Sequence, residues 1–252
     1  IANAGGGLGT RGTSAVSGFA VTAVGSEKVV TTSLGVAGAG AAGVTLGATA
    51  NVISSVTDAR IGDSARVNQG GGAVGDVKVT ATDDTFMVMA AGTVAGAAAA
   101  AVSGSSNTAV VNKQTSARVG DADVKGANLA VAAASTEEMY IATANVAGAI
   151  AGVGAAVGVG TVKNTTTAGI EAGANVDATG DLRVTAGQDT AMDLYTVAGA
   201  GGVVGVSGAV SVGVVDNTTQ AFVGGAASAA DAAVLNAGGT TEVAATSKEE
   251  LT

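Results

Sequence analysis

Cysteine, proline, histidine and tryptophan are all absent from this 252-residue chain, and aromatic residues make up only 2% of it. Without cysteine there is no disulfide, no thiolate nucleophile and no thiolate zinc site. Without histidine there is no imidazole base and no usual transition-metal ligand. The sequence is therefore expected not to be an enzyme. Missing proline is itself informative, because an interior β-strand must donate every ladder hydrogen bond and proline cannot. Basic runs are missing too: the net charge is −9 and the pI about 4.3. Nothing in the chain could displace counterions from a phosphate backbone, so nucleic acid is excluded as an expected partner. A cysteine-free chain is also compatible with export through an oxidising compartment.

What is present is glycine, 41 residues of it, within a chain that is 47% hydrophobic. The apolar fraction is mostly Ala and Val, which predicts narrow interior spaces between closely stacked sheets. Disordered glycine-rich chains are poor in aliphatics and rich in Pro and charge, and this one is the reverse, so an ordered fold is expected. Ile1 is not an initiator Met, and Thr252 follows a charged segment. The chain reads as part of a longer one, with any targeting signal outside it.

Self-similarity is the dominant signal. Val-Ala-Gly-Ala starts at Val36, Val94, Val146 and Val197, in steps of 58, 52 and 51 residues. Each start opens an Ala/Gly/Val run that leads to a polar segment: Asn51 to Thr57, Asn112 to Ser116, Asn164 to Thr167 and Asn217 to Thr219. These segments are expected to be turns. A second element follows, centred on Ile61, Val119, Ile170 and Val223, at offsets of 25, 25, 24 and 26 from the starts. A third has period-two alternation: GDVKVTATDD from Gly75, GANLAVAAASTEE from Gly126, GDLRVTAGQD from Gly180 and TTEVAATSKEE from Thr240, with FAVTAVGSEK from Phe19 as an earlier copy.

Period two, β-branched residues and Gly/Asn/Asp punctuation predict strands. Units that cannot bury a face alone must stack on their neighbours. The expected fold is all-β: a repetitive β-solenoid of about four and a half units, within one repeat array over 1–252. Its units are approximately 1–35 (partial), 36–93, 94–145, 146–196 and 197–252. Equivalent residues then lie above one another in rows, with Val36, Val94, Val146 and Val197 in one row and Asn/Thr hydrogen-bond ladders beside it. A unit of about fifty residues corresponds either to two or three small coils or to one long coil with hairpin excursions.

Charge-free runs from Val29 to Thr57, Thr85 to Asn112 and Met139 to Val162 are long enough to span a bilayer. They have no basic flanks, no aromatic belt and little Leu or Ile, so this segment is expected not to be transmembrane. The acids that follow the third element, Asp83, Asp84, Glu137, Glu138, Asp189, Glu249 and Glu250, are the candidates for chemistry. Their recurrence in each unit predicts a solvated rim of turns, with a Ca²⁺-binding row as the alternative. No catalytic or cofactor-binding residue is assigned. Gly70 to Asp76 reads as a loop, and Gly38-Ala39-Gly40 and Gly199-Ala200-Gly201 as points of close backbone approach. Asn164 and Asn217 sit in glycosylation sequons that turn chemistry explains as well. The five aromatics, Phe19, Phe86, Tyr140, Tyr195 and Phe222, are expected to fill or cap the core.

Taken together, Val-Ala-Gly-Ala, Asn-Thr-Thr, Ala-x-Ile/Val-Gly and Gly-Asp-Leu/Val-x-Val-Thr-Ala resemble the repeat region of large bacterial filamentous adhesins and hemagglutinins. The resemblance is in particular to leukotoxin-like filamentous adhesins of two-partner or autotransporter secretion, and it covers the chain from about Phe19 onward. The resemblance implies a right-handed parallel β-helix-like shaft outside a Gram-negative cell. It would display binding surfaces for host cells or other bacteria and carry no catalytic residue. Expected partners are a cell-surface receptor or neighbouring copies of the same chain, as in a self-assembling biofilm fibre. A membrane-active toxin segment and a glycan-cleaving β-helix are the remaining alternatives.

Overall fold

The computed structural model describes residues 18–70, 74–224 and 232–252. All of its regular structure is β, in thirteen strands. Five belong to one sheet: β1 (Gly18–Ala39), β4 (Asp76–Ala97), β7 (Leu129–Gly148), β10 (Leu182–Gly201) and β13 (Thr241–Leu251). Four form a second: β2 (Ala42–Ile61), β5 (Ala100–Val119), β8 (Ala151–Ile170) and β11 (Val204–Val223). Four short strands make a third: β3 (Arg66–Val67), β6 (Asp123–Gly126), β9 (Asn175–Ala178) and β12 (Val234–Ala237). Every pairing is parallel, and each strand pairs with its equivalent one unit away. This is a parallel β-solenoid with one coil per sequence unit and, among the described residues, no hairpin.

Each coil is long and flat. A strand of 20–22 residues runs out along the first sheet, reverses through a tight arc, and returns as 20 residues of the second. A short strand closes the other end. At ~3.3 Å per residue the blade is about 65–70 Å wide, with its two long sheets roughly 10 Å apart and coils rising by about 4.8 Å.

The polar segments expected to be turns are instead the middles of strands β2, β5, β8 and β11. The true reversals lie inside the Ala/Gly/Val runs, at Gly40-Ala41, Ala98-Ala99, Ala149-Ile150 and Gly202-Val203. Small residues suit a place where two sheets converge and reverse. Gly202 is required there: its φ is +143°, and a Cβ would lie 1.7 Å from the Ala149 carbonyl oxygen.

Register explains the uneven spacings. Ile61, Val119, Ile170 and Val223 do stack in one row. Val36, Val94 and Val146 also share a row, but the next residue in it is Gly199, and Val197 stacks on Ala144. Val197 is therefore two residues out of the expected register. The shift preserves which face it occupies, because side chains alternate with period two. All four Val side chains point outward, and the alanines after Val94 and Val146, Ala95 and Ala147, point in.

The core is graded from end to end. Where three sheets meet it is filled by Val77, Val79, Leu129, Val131, Leu182 and Val184 against Ile61, Val119 and Ile170. All four methionines, Met87, Met89, Met139 and Met192, lie mid-blade with Ile141, Val111 and Val162. Only at the arc does the interior shrink to Ala95, Ala101 and Ala147. The narrow core expected throughout is thus confined to one end, because the four methionines, Ile141, Leu129 and Leu182 point inward elsewhere. Four of the aromatics do not fill it. Phe86, Tyr140, Tyr195 and Phe222 occupy outward positions, with Phe86 and Tyr140 tilted at 6.1 Å and the Lys28 ammonium 5.5 Å from the Phe86 ring. Phe19 alone continues a core row, over Val77. Part of the Gly70 to Asp76 loop, 71–73, lies outside the described residues.

Candidate functional site

The acids are not at turns. All seven lie within β4, β7, β10 and β13, and alternation sends one member of each pair inward and the other outward. Asp83 and Glu137 are wholly buried, whereas Asp84, Glu138 and Asp189 are exposed. Glu249 and Glu250 are exposed on β13, the last strand of its sheet. The solvated rim is therefore half an interior feature.

Nor do the acids stack. Asp83-Asp84 aligns with Gln188-Asp189, but Glu137-Glu138 is staggered by two residues and aligns with Glu249-Glu250. One inner row reads Glu27, Thr85, Glu137, Thr190, Glu249, with a threonine between each pair of acids. The next reads Gly25, Asp83, Ser135, Gln188, Ser247. Like charges directly opposite on adjacent strands are destabilising, and the stagger keeps carboxylates two rungs, about 9.6 Å, apart within a row. In the acid–threonine row, Thr85 Oγ1 donates to Glu27 at 2.9 Å and Thr190 Oγ1 to Glu137 at 3.0 Å.

The second sheet answers with its own polar rows: Ser55, Lys113, Asn164, Asn217, and beside it Thr57, Thr115, Thr166, Thr219. Lys113 is the centre of the site. Its side chain is wholly buried, and its ammonium is ion-paired to Asp83, lies 3.4 Å from Glu137 Oε1 and 3.7 Å from Glu27 Oε2, and donates to Thr85 Oγ1 at 2.8 Å. Asp83 Oδ2 accepts from Thr57 Oγ1 at 2.6 Å, and the one Ser55 hydroxyl proton is shared between Glu27 Oε1 at 2.8 Å and Asp83 Oδ2 at 3.2 Å. Glu137 accepts from Ser135 at 2.5 Å and from Asn164 Nδ2 at 2.7 Å. Burial pushes the Asp83 carboxyl up, but hydrogen bonds from Lys113 and Thr57, with the Lys113 charge, together hold it below its ordinary 3.8.

Sequence reasoning passed over Lys113. The available signal is parity: it is the lone cation of a long uncharged stretch and sits two residues from Val111, on the buried side. Asn164, a sequon residue, is likewise wholly buried and bound to Glu137, which leaves no room for a glycan in the folded state. Among the described residues no group of three His, Cys, Asp or Glu side chains is arranged to hold a metal ion. Between Glu27, Asp83 and Glu137 the position of a cation is taken by the Lys113 ammonium. No helix among the described residues is long and apolar enough to cross a membrane. The charge-free runs are pairs of strand halves joined at the arc.

The fold and this interior stripe define a flat parallel β-solenoid with a graded apolar core and one buried ionic cluster. No family model, no curated protein and no solved structure matches the chain.

Proposed function

We propose that the chain is a shaft segment of an extracellular bacterial adhesin, a structural element and not a catalyst. The observation that supports this is the row-by-row register of the coils: each unit contacts its axial neighbours through the same cross-section, so the array lengthens by repetition. The motif resemblance to filamentous adhesins adds the location, outside the cell. Outward valines and tyrosines supply surface for contacts with a receptor. Antibody labelling of intact producing cells tests the reading. It expects surface label that is lost when the coding region is deleted, together with reduced attachment to host cells or other bacteria; label found only after cell rupture contradicts it.

A second reading is a self-assembling matrix fibre. It is favoured by the exposed row Val44, Val102, Val153 and Val206 on the outer face of the second sheet, a flat β-branched surface without charge. Sedimentation of the purified chain separates the two: a fibre subunit grows with concentration and is arrested by Val153→Lys, whereas a shaft segment stays monomeric.

A further inference from the structure

The Lys113 cluster is arranged for chemistry that no shaft requires. One ammonium faces three carboxylates in the middle of a sheet sandwich, and Lys113, Asp83 and Glu137 are all completely enclosed. Such a cluster is poorly explained as a stabilising ion pair, because desolvation offsets most of the attraction and well-packed apolar residues would serve as well. The chain has no cysteine, so no disulfide ties its two long sheets together.

We propose that Lys113 and Asp83 condense into an intramolecular amide, a covalent cross-link between β5 and β4 with Glu137 as the proton carrier. Each part of the reaction has its group in place. The nucleophile Nζ lies against the Asp83 carboxyl, which removes the entropic cost of bringing the reactants together. Thr57 donates to Oδ2, the oxygen that carries negative charge in the tetrahedral intermediate, and Ser55, whose hydroxyl donates to Glu27 Oε1 at 2.8 Å, stands 3.2 Å from the same oxygen. Glu137 Oε1, 3.4 Å from Nζ, takes a proton from the ammonium and freezes no freedom in doing so, since Ser135, Asn164 and Thr190 already fix it.

The balance is simple. Nζ attacks Cγ, a C–N bond forms, and the Cγ–Oδ1 bond breaks. Two protons of the ammonium leave with Oδ1 as water, one of them relayed by Glu137, and nothing is oxidised or reduced. Bulk water opposes this condensation. In a dry interior the neutral amide replaces the buried Lys113–Asp83 pair and escapes its desolvation cost, and the Glu137 carboxylate that loses its cation keeps the donors Ser135, Asn164 and Thr190.

The intact mass of the folded, purified chain tests this directly. The expected mass is that of the sequence less one water, with a proteolytic fragment in which Lys113 is joined to Asp83. Lys113→Arg and Asp83→Ala, which remove the nucleophile and the acyl group, each restore the full mass. Glu137→Gln is expected to fold with the same circular dichroism but to form the link about a hundredfold more slowly, with partial recovery in Glu137→Asp. An unmodified mass in the folded parent overturns the proposal. So does loss of ammonia, which would place the link at Asn164, or a lost water that maps to Glu137.

Discussion

Thr190 sits one coil beyond Glu137 in the same inner row and donates its hydroxyl to the Glu137 carboxylate at 3.0 Å. Thr85 stands in the same relation to Glu27, so the row alternates acid and hydroxyl, each threonine separating two acids and hydrogen-bonding one of them. Thr190→Val keeps the shape and removes the donor. It is expected to cost about 1–3 kcal/mol in chemical denaturation, because a buried acceptor loses its partner. Thr190→Glu would place three carboxylates on successive rungs and is expected to prevent folding of that coil.

The arc end is set by side-chain size. Ala147 is wholly buried where the two sheets converge, and Ala147→Leu should destabilise by about 1–3 kcal/mol through overpacking. Ala142, five residues earlier in the same strand, faces outward, so Ala142→Leu should leave the stability within about 0.5 kcal/mol of the parent. Equal effects at the two sites would contradict the assignment of faces.

Gly202 tests the arc backbone. Gly202→Ala puts a Cβ against the Ala149 carbonyl at a positive φ and is expected to cost more than about 1 kcal/mol. Gly148→Ala, whose Cβ meets nothing within 4 Å, is the control and should cost less. Thermal melts of both variants check the order.

Acid sensitivity follows from the Asp83 environment and depends on whether its carboxyl persists. Until the link forms, which Glu137→Gln delays, the Lys113–Asp83 pair is ionic, and against the upward push of burial, hydrogen bonds from Lys113 and Thr57 hold the folded-state carboxyl below 3.8. The unfolded chain then takes up the proton first as pH falls, so this contribution is complete above about pH 5 and is lost progressively below 3.8. A parent chain carrying the amide has no Asp83 carboxyl and lacks that component. Denaturation midpoints of the two proteins between pH 6 and 3, values spanning the ordinary carboxylate range of roughly 4, should therefore diverge on acidification.

Much of the fold was legible because coil length and register are written into the spacing of repeated motifs. Phe19, Val77, Leu129, Leu182 and Thr241 lie near the starts of successive copies of the third element and stack as a row. The slip at Val197 was hidden because a two-residue shift of an Ala/Gly/Val motif yields nearly the same motif, on the same face. Placing the turns at Asn and Thr failed for a different reason. Those residue types favour turns in general, but here they pair with buried acids across the sandwich, as Asn164 does with Glu137. The arc instead falls among alanines and glycines, whose small size permits the reversal and whose sequence carries no turn signature. The ionic cluster needed the fold itself, because Lys113 and Asp83 are brought together only when the second sheet folds back over the first.

The register of the flat coil is tested most directly by engineered disulfides, against a background free of cysteine. Ala144 and Val197 are outward-facing partners on β7 and β10. Their Cα atoms are expected about 4.8 Å apart, within disulfide range, whereas Val146 and Val197 lie diagonally at roughly 8 Å, beyond it. The double substitution Ala144→Cys with Val197→Cys should oxidise to an intramolecular disulfide in the folded chain, and Val146→Cys with Val197→Cys should not. Cross-linking of the second pair and not the first would contradict the two-residue slip and the register of the coils.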